Sequence, residues 1–181
     1  MRHLILSTSV IGLSLAGAVM AQTPTGTAGD PTPRTAMAAL IDSQGRSVGE
    51  ARLQQTPNGI LLKIDLREVT PGIHAVHLHQ VGRCEGPTFE SAGGHVAAEG
   101  RQHGFLNNGG PHAGDLPNLE VPSTRQLSVE YLVKDVTLGS GAGSLLDGDG
   151  AAVVIHASRD DYASDPAGNS GDRIACGPIR R

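Results

Sequence analysis

The chain has 181 residues, enough for one domain with a sizeable buried core. It holds no Trp, two Phe and two Tyr, so that core must be built from Val, Ile, Leu and Ala. A net charge of −4 excludes a basic nucleic-acid footprint, and attraction of an anionic ligand must come from a local field.

Residues 1–21 read as a secretory signal peptide. Arg2 supplies the positive charge, a short apolar run follows, and Ala18-Val-Met-Ala21 places small residues for cleavage after Ala21. The run is too short and too rich in Ser and Gly to favour the alternative, a retained anchor. No later stretch is long and apolar enough to cross a bilayer, so stable membrane insertion is not expected after cleavage. Residues 22–34 are rich in Thr, Gly and Pro and read as a flexible lead-in. Residues 35–181 read as the folded domain.

Strands are expected over 36–41, 49–55 and 60–66. They are separated by the turn-forming sequences Asp42-Ser-Gln-Gly45 and Thr56-Pro-Asn-Gly59. Pro71-Gly72 then introduces Gly72-Ile-His-Ala-Val-His-Leu-His-Gln80. Val76 and Leu78 alternate with His77 and His79, so a strand here puts both imidazoles on one face, close enough for one metal ion. His74 sits at an odd offset and reads as a structural neighbour on the opposite face.

Residues 82–117 break this rhythm. They are Gly-rich and aperiodic, and a loop of that length in a compact domain is normally functional. The segment carries His95, His103, His112 and Asp115, so metal ligation is the obvious way to order it. Further strands are expected over 127–133, 152–156 and 173–179. Asp147-Gly-Asp-Gly150 between them reads as a plain turn, because its spacing is incomplete for a calcium loop. The spacing of strands, with no helical period between them, predicts an antiparallel sandwich or barrel. Cys84 and Cys176, in an exported chain, most simply form one disulfide, worth on the order of 4–5 kcal/mol by loop closure. The alternative, two thiolate ligands, lacks a Cys-x-x-Cys pair.

With His74 set aside, the ligand candidates outside the signal peptide are His77, His79, His95, His103, His112, His156 and Asp115. Six imidazoles are too many for one tetrahedral site. Two four-coordinate sites need one more position than seven residues supply, and a bridging imidazole closes the count. An all-nitrogen set favours copper(II), and three His with one carboxylate favour zinc. One partition gives His77, His79 and His156 to copper and His103, His112 and Asp115 to zinc, with His95 as the bridge. Other partitions satisfy the same count.

The set Gly72-x-His74-x-x-His77-x-His79, Gly94-His95, His103-Gly, Gly110-Pro-His112-x-Gly-Asp115-Leu, Val154-x-His156 and Gly171-x-Arg173-x-Ala-Cys176-Gly closely resembles the copper/zinc superoxide dismutases. The likeness runs over about residues 36–179 and is nearest the exported bacterial type. It implies an all-β, flattened, eight-stranded Greek-key barrel of the immunoglobulin-like sandwich class, with two long functional loops. It implies copper held by His77, His79, His95 and His156, and zinc held by His95, His103, His112 and Asp115. It further implies a Cys84–Cys176 disulfide tying the long loop to the barrel, and Asp160 as the carboxylate linking a copper ligand to a zinc ligand.

Superoxide is the implied substrate, with Arg173 as the anion-binding cation, His95 as proton carrier and the periplasm as location. Relatives occur as monomers and as dimers, so a homodimer is one of two states open to the chain. Ala167 stands where some relatives have Thr near the channel mouth, and Ala157-Ser-Arg159 replaces charges seen elsewhere; both bear on how substrate is guided. A non-catalytic periplasmic copper/zinc-binding protein on the same fold is the alternative, and it predicts a missing copper ligand or a missing arginine. A zinc hydrolase needs a free general base beside a ligand pair, and no Glu stands there.

Overall fold

The strands follow from simple alternation. In β1 (Thr35–Asp42), Ala36, Ala38 and Leu40 turn inward while their neighbours face solvent. β2 (Ser47–Thr56) and β3 (Gly59–Arg67) repeat the pattern, and β3 buries Ile60, Leu62, Ile64 and Leu66. The structure is a computed structural model that describes residues 34–181. The segment read as a signal peptide, residues 1–21, and the segment read as a lead-in, as far as residue 33, lie outside the described residues.

After β3 come β4 (Gly72–His74), β5 (Val76–His79), β6 (Leu119–Val121), β7 (Gln126–Val133), β8 (Ala152–His156) and β9 (Arg173–Pro178). Seven of them form one antiparallel sheet in the order β5-β8-β9-β1-β2-β3-β7, and β4 pairs with β6. β4 and β5 are a single run interrupted at Ala75. The Ala75 N–H donates to Ser158 O at 2.8 Å and its carbonyl accepts from His156 N–H at 2.9 Å. Counted as one, they give eight strands. β3 pairs with β7 and β5 with β8, so the links β3→β4 and β7→β8 cross between non-neighbouring strands in Greek-key fashion.

The expected strands are present with ends shifted by one or two residues. β6 was not expected, because three residues carry too little alternation to read. The long segment between β5 and β6 holds one 3-10 turn, Glu90–Ala92. No helix among the described residues is long and apolar enough to cross a membrane.

The barrel interior is Val, Ile, Leu and Ala, as composition requires. Each fully buried Leu or Ile there contributes roughly 1.5–3 kcal/mol. A second, smaller cluster sits outside the barrel wall. Phe89 and Ala92 pack on Ala152, Val154 and Cys176, with Ile41 and Cys84 at the margin. The Cys84–Cys176 disulfide, closing 92 residues with Cα atoms 5.7 Å apart, lies in this cluster and ties the long loop to β9.

Candidate metal centre

β5 organises the site. One of its edges is paired with β8, and the long loop closes the other. Val96 N–H donates to Leu78 O (2.8 Å), Leu78 N–H to Gly114 O (2.9 Å), Gly114 N–H to Val96 O (2.8 Å) and Gln80 N–H to Gly94 O (2.9 Å). These backbone bonds set Asp115 across from His77 and His95 across from His79. Residue 114 must be glycine, because a Cβ there would collide with the Leu78 carbonyl. The loop therefore takes its register from the strand edge, and an aperiodic sequence acquires a defined geometry.

Within β5, Val76 and Leu78 enter the barrel core while His77 and His79 share the other face, buried beneath the loops. His77, His79, His95 and His156 each offer a ligand atom, all within 4.8 Å of one another. One nitrogen of each ring is fixed by the protein. His77 Nε2 meets Asp160 Oδ2 at 2.8 Å, His79 Nδ1 meets Gly93 O at 2.9 Å, and His95 Nδ1 meets Asp115 Oδ1 at 2.8 Å. His156 Nδ1 lies 3.3 Å from Gly171 O and 3.1 Å from Ser170 Oγ. The opposite nitrogens, His77 Nδ1, His79 Nε2, His95 Nε2 and His156 Nε2, are buried without a protein partner. An unsatisfied buried polar atom costs about 1–3 kcal/mol, and four on converging rings make a donor set that a metal ion satisfies. Four imidazole nitrogens suit copper.

Beside this set, three rings converge on one oxygen. Asp115 Oδ1 is 2.8 Å from His95 Nδ1, 3.0 Å from His103 Nδ1 and 3.4 Å from His112 Nδ1. Donors about 2.0–2.1 Å from a tetrahedral zinc stand roughly 3.3 Å apart, so the grouping fits that ion. Asp115 Oδ2 is held separately, by Gly104 N–H at 2.8 Å and His112 N–H at 2.9 Å, which leaves Oδ1 to face the rings. His77, His95, His103 and Asp115 also offer ligand atoms within 4.8 Å of one another. His112 is the better fourth member. Its Nδ1 is buried without a hydrogen bond, whereas His77 Nε2 is taken by Asp160 and its Nδ1 belongs to the first set.

Asp160 ties the two sets together. Its Oδ2 accepts from His77 Nε2 and its Oδ1 from His103 Nε2 at 2.9 Å. Asn118 clamps its backbone on both sides, accepting from Asp160 N–H at 2.8 Å and donating to Asp160 O at 3.0 Å. Gly168, at φ 65°, leaves the space that the Asp160 carboxylate and the His103 ring fill. His74 stays outside both sets, its ring spanning His156 O (2.9 Å) and Thr70 O (2.8 Å).

Electrostatics favour the deprotonated forms of His79, His95, His156 and Asp115, but not of His103. Burial pushes His79 down to about 2, His156 to about 3 and His95 to about 4, with neighbouring imidazoles adding to the effect. Burial opposes charge on His103 too, but its bonds to Asp115 and Asp160 outweigh this and raise it to about 9. Burial would raise both carboxyls. The imidazole and backbone hydrogen bonds win, and hold Asp115 and Asp160 well below the usual carboxylate range.

Arg173 reaches the same region from the start of β9. Its Nη1 donates to Phe89 O at 2.7 Å and its Nη2 to Gly93 O at 2.8 Å. Burial disfavours its charge and the Glu90 carboxylate opposes that. All the candidates lie in or against this one cluster. Asn118, Ser170 and the Gly93 and Gly171 carbonyls were missed. Backbone acceptors leave no sequence signal, and a single Ser or Asn in a loop reads as turn chemistry.

Residues 47–179 match the family description copper/zinc superoxide dismutase. A copper-zinc superoxide dismutase of Aquifex aeolicus is 46% identical over 147 residues, covering 80% of this chain and 86% of that protein. One from Caulobacter vibrioides is 39% identical over 149 residues, covering 81% and 86%. The crystal structure of a superoxide dismutase-like protein from Bacillus subtilis superposes with a TM-score of 0.76 at 38% identity, covering 78% of this chain and 96% of that one.

Proposed function

Because the chain belongs to the copper/zinc superoxide dismutase family, we propose that it converts two superoxide anions and two protons to dioxygen and hydrogen peroxide in the periplasm. Copper and zinc are its cofactors. His77, His79, His95 and His156 are the copper ligands, and His95, His103, His112 and Asp115 the zinc ligands. The observation that carries the reading is His95. Its Nδ1 joins the Asp115 group while its buried Nε2 faces the all-histidine group, so one ring serves both sets.

When bound, copper supplies the one-electron couple that oxidises one superoxide and reduces the next, and zinc supplies a fixed positive charge without redox chemistry. The protein does the rest. Arg173 holds a positive charge at the site and draws in a small anion. His95 Nε2 is the atom that takes a proton and returns it to the reduced substrate, while Asp115 and the zinc set hold the ring in place. Asp160 keeps His77 and His103 in register with each other. The signal-peptide reading of residues 1–21 supports export.

The test is metal analysis together with a dismutase assay on protein loaded with both ions. Near-equal copper and zinc with fast turnover supports the reading. Both metals bound without dismutase activity would instead make the chain a periplasmic metal-binding protein on this fold.

A further inference from the structure

We infer that Ser170 is a positioning residue for His156, supplying through its hydroxyl the acceptor that fixes the ring of this copper ligand. The inference rests on the copper assignment above.

Three rings of the all-histidine set each have one partner at 2.8–2.9 Å on the nitrogen facing away from the shared centre. His156 does not. Its only carbonyl partner, Gly171 O, is 3.3 Å from Nδ1, at the weak end of hydrogen-bond distances. Ser170 Oγ stands closer, at 3.1 Å. His156 Nε2 is buried with no protein partner and must present its lone pair to the centre, so Nδ1 carries the hydrogen and Ser170 Oγ accepts it.

Ser170 is built to hold that place. It is 2% exposed, although serine is ordinarily a surface residue. Its carbonyl accepts from Ser158 N–H at 2.9 Å and its own N–H donates to Ala167 O at 3.3 Å, so the backbone is tied on both sides. His156 lies where the β8–β9 register slips, between Ile155 and His156. The ladder leaves this side chain less constrained there than on a regular strand, and a second acceptor restores a single orientation.

An acceptor on Nδ1–H makes the imidazole a stronger donor and favours the more highly charged metal. Removing it weakens copper(II) binding more than copper(I) binding. Partners of this kind are worth about 10–100-fold in metal affinity. A tenfold loss of preference for copper(II) raises a one-electron potential by about 59 mV.

The experiment uses Ser170→Ala on the full copper- and zinc-loaded protein, with circular dichroism to check the fold. The expected result is a copper potential raised by an amount of that order, with altered copper(II) EPR splitting. An independent arm needs no copper. A long-range 1H–15N spectrum of the zinc-loaded wild-type protein should show His156 as the Nδ1–H form, and Ser170→Ala should shift that nitrogen alone among the ring signals. An unchanged potential and an unchanged His156 signal in folded Ser170→Ala overturn the role, as does an Nε2–H form in the wild type. If the protein binds no copper at all, the copper assignment fails while the tautomer arm still reports on Ser170.

Discussion

Arg173 and His79 meet at one atom. The carbonyl oxygen of Gly93 accepts from Arg173 Nη2 at 2.8 Å and from His79 Nδ1 at 2.9 Å. The cation proposed to draw in substrate and a proposed copper ligand are thus set by the same peptide unit. That unit is fastened a few residues away by the Phe89 cluster and the Cys84–Cys176 disulfide.

Arg173→Ala removes the charge and both carbonyl contacts. Turnover should fall by about tenfold or more at low ionic strength and by less at high salt, since steering is screened. Copper and zinc content should stay unchanged. Arg173→Lys keeps the charge but cannot fork to two carbonyls, so it should recover only part of the rate. Full activity of Arg173→Ala in dilute buffer removes the arginine from the mechanism.

Breaking the disulfide by Cys84→Ser should cost on the order of 4 kcal/mol by loop closure, visible as a lower midpoint in denaturant. It also frees the peptide unit that Arg173 and His79 share. Activity at temperatures where the variant remains folded should therefore fall as well. Stability loss with intact turnover would show that the Gly93 carbonyl holds its place without the crosslink.

Asp160→Asn keeps the shape but loses the charge that accepts from His77 and His103. Zinc affinity, read by chelator competition, should drop about 10–100-fold. The barrel should persist, because Asp160 contributes nothing to the core.

Gly168 and Gly100 both have positive φ, but only Gly168 has neighbours. A Cβ at 168 lands on the Asp160 carboxylate and the His103 ring, whereas one at 100 meets nothing within 4 Å. Gly100→Ala should cost about 1–2 kcal/mol of backbone strain and leave the metals bound. Gly168→Ala should lose zinc as well as stability. Equal metal content in the two variants would contradict this account of the second.

Metal-stripped protein should be most stable near pH 6.5. His79, His156 and His95 are depressed to about 2, 3 and 4, so below 6.5 the unfolded chain binds their protons first and stability falls as pH drops. Asp115 and Asp160, also depressed, add to the loss below the ordinary carboxylate range. His103 is raised to about 9, so its contribution is complete below 6.5 and is lost as pH rises through 9. Thermal melts from pH 4 to 9.5 should trace this maximum. A midpoint that climbs steadily to alkaline pH would contradict the assignment for His103.

Much of this was legible in the chain itself. Alternation located the main strands, because burial on one face of a pleated strand writes a period of two into the sequence. The spacing of His77 and His79 put both on one face for the same reason. Ligand types and their number called for two ions and one bridging ring, since coordination counts are fixed by chemistry. Three-dimensional packing decided the rest. The loop bearing His95, His103, His112 and Asp115 has no period, and its geometry comes from backbone bonds to the open edge of β5. Which nitrogen of each ring faces inward depends on partners such as Gly93 O, Ser170 Oγ and Asp160, up to 83 residues away along the chain. Such contacts are made by main-chain atoms or by solitary polar side chains, and only folding brings them within reach of the rings they hold.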